Sequence, residues 1–296
     1  MQLFVNDLTV IDFSYLCPKR GIVGESWIVD ITLDGSLDDQ SMVLDFGRVK
    51  KQIKAIIDDS VDHKLAVPAE HEFTQVVRSA NGSGYWVDFM RPDHRSIHLF
   101  CPADAFAFID ADVVNMDSVK AYLQAVIKRE LPANVEGLEL TLRAEAISGF
   151  YYHYTHGLKK HDGNCQRIAH GHRSALQVFI NNMRTPRLEK QWADRWQDIY
   201  VGSREDVVNV TQMQLSAAAQ QVLGTTTDSH VCYSYHADQG LFELVVPVDE
   251  NTIIDTDTTV ECISEYLARQ IKHQEGVVDV KVIAFEGVGK GAIGYA

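Results

Sequence analysis

Residues 97–112 read IHLFCPADAFAFIDAD, and residues 242–257 read FELVVPVDENTIIDTD. A shift of 145 positions lays Pro102 on Pro247, Asp104 on Asp249, Ile109-Asp110 on Ile254-Asp255 and Asp112 on Asp257. A helical pattern follows each stretch. Val119, Tyr122, Leu123, Val126 and Ile127 fall on one face in the first, and Val260, Ile263, Tyr266, Leu267 and Ile271 on one face in the second. Upstream, the same shift carries the turn Pro92-Asp93-His94-Arg95 onto Ala237-Asp238-Gln239-Gly240. Each half closes on a strand with one late glutamate, Glu145 and Glu286. The period is too long for a solenoid. It predicts two divergent copies of one unit, over residues 1–147 and 148–296.

Outward from the repeat, both units read alike. In the first, LTVIDFSYL and SWIVDITLDG are strands, with Trp27, Val29, Ile31 and Leu33 alternating. FGRVKKQIKAIID follows as a helix with Val49, Ile53, Ile56 and Ile57 on one face. An extra hairpin comes next, at roughly 84–101 and again at 231–247, then the second helix and the last strand. Strands in hairpins with helices segregated between them predict an α+β fold of antiparallel sheets with helices on one face.

Composition narrows the function. A chain of 296 residues with 46% apolar content can bury one large core or two ordinary ones. The formal charge of −14 argues against nucleic acid or an anionic membrane surface as partner. An anionic small molecule would need a local cationic pocket or a metal. Five cysteines, odd in number and irregularly spaced, predict reduced thiols in a cytoplasmic protein. The opening MQLFVNDLTV has no basic segment followed by an apolar one, and no run approaches the ~18 apolar residues of a membrane span.

The chemistry concentrates in residues 150–180, FYYHYTHGLKKHDGNCQRIAHGHRSALQVFI. Leu176, Val178 and Ile180 alternate as in a strand, and side chains two apart on a strand share a face. His170 and His172 therefore converge. His156 lies in a second alternating run with Tyr152 and Tyr154, which can pair beside the first as a hairpin. Three imidazoles on one sheet face are the donor set of a catalytic zinc with one open position. Against this stands the ordinary fate of a histidine, exposed or hydrogen-bonded, in a chain with twelve of them.

These residues resemble the 6-pyruvoyl-tetrahydropterin synthase and 6-carboxytetrahydropterin synthase family, whose unit is the tunnelling fold, or T-fold. The resemblance lies in Tyr152-His153-Tyr154-Thr155-His156, in Cys165 before His170-Gly171-His172, and in a final strand ending in Glu286. It is divided between the copies. The first copy has Leu16 or Cys17 and then Val23-Gly24-Glu25 where the second has its histidines, so its zinc site is lost. It keeps Met42-Val43-Leu44-Asp45-Phe46 and Val61-Asp62-His63-Lys64-Leu65, similar to the family's Asp-Phe and Asp-His signatures. In the second copy Asp228-Ser229-His230 is the nearest equivalent, differently spaced.

The resemblance implies that His156, His170 and His172 bind zinc, that Cys165 is a base activated by Asp62-His63, and that Glu286 anchors a pterin ring. Cys165 as a fourth zinc ligand is the structural alternative. Glu261 is a secondary pterin contact; by default it closes a capping box with Thr258. Glu145 is read as structural, and Cys232 and Cys262 as core. The substrate implied is 7,8-dihydroneopterin triphosphate, which loses its triphosphate. The product is 6-carboxytetrahydropterin, as in the queuosine route, or the 6-pyruvoyl compound. A zinc hydrolase and a non-catalytic pterin-binding protein are the rival readings. T-fold units form β-barrels by edge pairing. If unlike copies must be neighbours, the chain is a homo-oligomer, a dimer or tetramer with an even number of units per ring.

Overall fold

The structure, a computed structural model, describes residues 1–224 and 228–296. In the first half β1 (Gln2–Cys17) turns into β2 (Gly21–Gly35). Asp45 then caps a helix made of α1 (Phe46–Arg48), a π-helical stretch (Val49–Ile53) and α2 (Lys54–Ser60). β3 (Leu65–Pro68), β4 (Thr74–Arg78), β5 (Tyr85–Phe89), β6 (Ile97–Cys101) and β7 (Phe106–Ile109) follow, then α3 (Met116–Lys128) and β8 (Val135–Ala144). The second half opens on β9 (Tyr151–His156), β10 (His170–Ile180) and β11 (Met183–Arg184), then α4 (Pro186–Arg195), β12 (Ile199–Ser203) and β13 (Val207–Val208). It continues through α5 (Ala217–Leu223), β14 (His230–Ala237), β15 (Gly240–Pro247), β16 (Asn251–Ile254), α6 (Val260–Glu275), β17 (Val280–Phe285) and β18 (Gly291–Tyr295).

Two sheets have one plan. The first runs β7-β3-β1-β2-β8 and the second β16-β12-β9-β10-β17-β18. The pairings agree in sense: β1–β2, β2–β8, β9–β10 and β10–β17 are antiparallel, whereas β1–β3, β3–β7, β9–β12 and β12–β16 are parallel. The 145-residue shift carries the 3-10 turn Ala103–Ala105 and β7 onto the 3-10 turn Val248–Glu250 and β16. The expected antiparallel hairpins are present. The parallel strands differ from expectation because a helix or hairpin excursion precedes each one and returns the chain in the same direction. Strand β18 was also unforeseen, since Gly-Ala-Ile-Gly-Tyr carries little strand signal.

Each sheet buries one face under its own helices. Val29, Ile31 and Leu140 pack with Ile53, Ile57, Leu123 and Ile127 in the first half. Val178 and Val282 pack with Leu188, Trp192, Ile263 and Leu267 in the second. The two extra hairpins join into a third sheet, β13-β14-β15-β6-β5-β4, in which Leu244 pairs with Leu99 across the halves. A satisfied polar network is buried there: His98 lies 2.7 Å from Asp88 and 2.9 Å from Ser96 Oγ, and Ser216 Oγ donates to Asp88 at 2.6 Å.

The main sheets meet where β2 crosses β9 and β10. Ser14 Oγ and Thr155 Oγ1 hydrogen-bond at 2.7 Å across this crossing. A Cβ on Gly24 would run into the Tyr154 carbonyl and stand 2.6 Å from His172 N, and one on Gly171 would stand 2.7 Å from Gly24 Cα. Among the described residues, no strand of the first sheet pairs edge to edge with one of the second. Gly24→Ala should cost about 3 kcal/mol or more, because backbone rather than side chain must yield. Urea unfolding measures this; a cost under about 1 kcal/mol would mean the crossing relaxes freely.

Candidate active site

The antiparallel register of β9 and β10 sets His156 opposite His170 and Tyr154 opposite His172. The three imidazoles are buried, with ring centroids 4.6, 5.3 and 5.9 Å apart, and one nitrogen of each lies within 4.8 Å of the others. His156 Nδ1–H donates to the Thr258 carbonyl at 2.8 Å, and His170 Nδ1–H to the Arg167 carbonyl at 2.9 Å. These bonds assign the tautomer and leave each Nε2 with a lone pair. Burial, reinforced by the neighbouring imidazoles, pushes His156 and His170 well below the usual histidine range. His156 Nε2 and both ring nitrogens of His172 are buried without a well-aligned partner among the described residues. Buried polar atoms are rarely left so. Three imidazoles with convergent nitrogens, two of them left with unpartnered buried nitrogens, fit a divalent metal such as zinc.

The first half supplies the neighbouring groups. Asp62 and His63 follow α2, and His63 takes a left-handed backbone (φ 54°) before β3. His63 Nδ1 lies 2.6 Å from Asp62 Oδ2, and the His63 ring bonds Cys165. Cys165 sits on the 3-10 turn Asn164–Gln166, and His63, Cys165 and His170 form a second cluster within 4.8 Å. Burial alone would lower His63, but the hydrogen bonds to Asp62 and Cys165 outweigh it and raise His63 to about 10. The sequence left open whether such a site lies within one chain or between two; here a single chain brings its parts together.

A cavity of about 380 Å³ opens onto these residues, lined also by Leu158, His161, Glu261, Glu286 and Lys290. Glu286 lies just past β17, with Oε1 4.0 Å from His172 Nε2. Glu261 is in the first turn of α6 and makes no capping box with Thr258. Thr259 is the N-cap, accepting from Cys262 N at 3.4 Å, while Thr258 Oγ1 donates to the Gly157 carbonyl at 3.1 Å. Asp228-Ser229-His230 is not an alternative pair at this cavity: His230 is in β14, with Nε2 bonded to Ser96 O at 2.9 Å. Glu145 follows β8 and its carbonyl accepts from Arg173. Sequence reasoning missed Asp12, which lies 3.2 Å from His172 Nδ1 and 3.1 Å from Lys290 Nζ. An aspartate in an alternating strand carries no motif that would have flagged it.

The first sheet has a counterpart of this site without its chemistry. Tyr15 pairs with Val23, and Glu25 follows Gly24, so Tyr15, Val23 and Glu25 hold the register positions of His156, His170 and His172. The place of His156 thus goes to Tyr15, not to Leu16 or Cys17. Asp198, with φ 59°, holds the position of His63 two residues before the strand residue that pairs with Thr155.

Residues 18–122, in the first half of the chain, match the family model described as 6-pyruvoyl tetrahydropterin synthase. The matched segment includes Asp62 and His63. No curated protein matches the chain. Among solved structures, 6-pyruvoyltetrahydropterin synthase from Plasmodium vivax is similar at 14% identity, over 48% of this chain and 90% of that one, with a TM-score of 0.39. The Plasmodium falciparum enzyme is similar at 12% identity over 48% and 90%, with a TM-score of 0.38.

In metal-free protein the raised His63 makes folding depend on pH. Its contribution is fully present below its ordinary value of 6.5 and is lost as pH rises through about 10. The stability advantage of the unaltered protein over His63→Gln should therefore shrink between those limits in urea titrations at stepped pH. A gap that stayed constant would show that His63 is not held protonated.

Proposed function

We propose that the chain is a zinc-dependent pterin synthase built of two tandem T-fold units, residues 1–147 and 148–296. Its substrate is 7,8-dihydroneopterin triphosphate, and each chain has one active site. The observation that carries this reading is that the Asp62-bonded His63 clusters with Cys165 and His170, and His170 with His156 and His172, beside a cavity lined by His63, Cys165, His170 and His172. The shared strand order of the two main sheets supports the tandem reading.

Zinc on the three histidines would polarise the substrate's side-chain oxygens and acidify the adjacent C–H. Cys165, hydrogen-bonded to His63, takes that proton, acting as a thiolate. Asp62 orients His63 and balances its charge. Triphosphate departs with the electron pair of its C–O bond. Glu286 accepts hydrogen bonds from the pterin 2-amino and N3–H groups, for which a carboxylate is suited, and Glu261 is a second contact at the cavity mouth. The expected product is 6-carboxytetrahydropterin, formed with one water consumed and the outer two side-chain carbons leaving as acetaldehyde when the C–C bond holding them breaks. A homo-oligomer is part of the reading, since β8 and β18 leave outer edges unpaired among the described residues. Because Asp62 and His63 meet Cys165 within one chain, the site itself does not require an even-numbered ring.

A zinc hydrolase is the second reading, favoured by one observation: Glu286 stands beside His172 where a carboxylate base would be needed. Zinc-loaded protein incubated with dihydroneopterin triphosphate separates the two. Loss of triphosphate is expected at one zinc per chain, with acetaldehyde marking the 6-carboxy product and its absence the 6-pyruvoyl one. Cys165→Ala should lower turnover about 10²–10⁴-fold. A hydrolase would leave the pterin untouched and would not need Cys165.

A further inference from the structure

We propose that Asp12, from the first half of the chain, is the positioning carboxylate of His172, fixing that ring with Nδ1–H toward Asp12 and Nε2 toward the metal. The inference rests on the three-histidine reading above. A histidine ligand holds its metal through one nitrogen and is oriented by a partner on the other. His156 and His170 have such partners in the Thr258 and Arg167 carbonyls. His172 has no carbonyl. Its Nδ1 lies 3.2 Å from Asp12 Oδ1, off the line of a good hydrogen bond, and its Nε2 lies 4.0 Å from Glu286 Oε1 on the cavity side. A small turn of the ring would align Nδ1–H with Asp12. A carboxylate in this place makes the imidazole a stronger donor than a carbonyl does.

Asp12 is itself held for this task. Its side chain is 5% exposed; the Ser26 hydroxyl donates to Oδ1, and Lys290 Nζ lies 3.1 Å from Oδ2. Gly287 leaves room for it, because a Cβ there would meet Asp12 Oδ1 and stand 2.8 Å from Ser26 Oγ. The Asp12 main chain grips the acid–base pair as well: its N–H donates to Asp62 Oδ1 at 2.8 Å, and its carbonyl accepts from His63 N–H at 2.8 Å. One residue thus sets the place of His172 and of Asp62-His63 together.

The test is zinc affinity by chelator competition. Asp12→Asn should weaken binding 10–100-fold, the range typical of an orienting partner. In a His172→Ala background Asp12→Asn should add no further loss. Unchanged zinc affinity in Asp12→Asn overturns the proposal, and so does an equal loss in both backgrounds, which would mark Asp12 as structural. Unaltered protein that bound no zinc would remove the metal centre and this inference with it. Imidazole nitrogen NMR of zinc-loaded unaltered protein needs no variant. It should place the metal on His172 Nε2 with a slowly exchanging Nδ1–H; metal on Nδ1 overturns the assignment.

Discussion

The structure depends on the close crossing of its two main sheets at Gly24 and Gly171. Neither position admits a Cβ, because each faces the backbone of the opposite half. Ser14 lies opposite Gly24 and Thr155 opposite Gly171 in their hairpins, and these two hydroxyls bond to each other. Equivalent residues of the two sheets therefore meet as partners about a local two-fold. Any side chain near this axis is shared between halves, which is how an aspartate of β1 comes to face a histidine of β10.

The axis also relates two sites of unlike content. Asp12, opposite Ser26, faces His172 at 3.2 Å; His153, opposite Arg173, faces Glu25 at 3.4 Å. Acid and base have exchanged strands. Around Glu25 the remaining space is filled by the chain's own groups: Arg20 grips Asp198 with two hydrogen bonds, at 2.8 and 2.5 Å, and lies 3.2 Å from the Tyr15 hydroxyl. Burial pushes Glu25 up to about 7 and His153 down to about 4, while His153 Nδ1–H donates to the Gly24 carbonyl. A glutamate, a valine and a tyrosine in place of three imidazoles do not make a zinc donor set. The two-fold is kept by the backbone and broken by the side chains.

The long hairpins and the histidine cluster were legible because each is local: alternation, and a register of two strands close in sequence. The parallel strands β3, β7, β12 and β16 are only four or five residues long, and so short a run does not declare its direction. The third sheet was hidden because β6 and β15 pair across more than a hundred residues, a choice no local pattern dictates. The Glu261 cap failed by one position, since Thr258 and Thr259 offer the same hydroxyl and the helix uses the second. The meeting of Asp62 and His63 with Cys165 could be suspected from complementary loss. Its geometry could not, because it comes from the crossing and not from any edge pairing.

On the two-unit reading, joining the halves in one chain also explains why they could part ways. Two separate identical units would each need every site residue, since either could occupy either place. Once a linker of a few residues between β8 and β9 fixes which unit stands where, the halves of each site no longer need to be made twice. Tethering keeps the partner at high effective concentration whatever its own affinity. The first unit can then give its histidine positions to Tyr15, Val23 and Glu25 and the second can place Asp198 where His63 stands, with no loss to the site that keeps both halves. The mirror position is left to stability, and the part-buried Arg20–Asp198 pair across the halves is what occupies it.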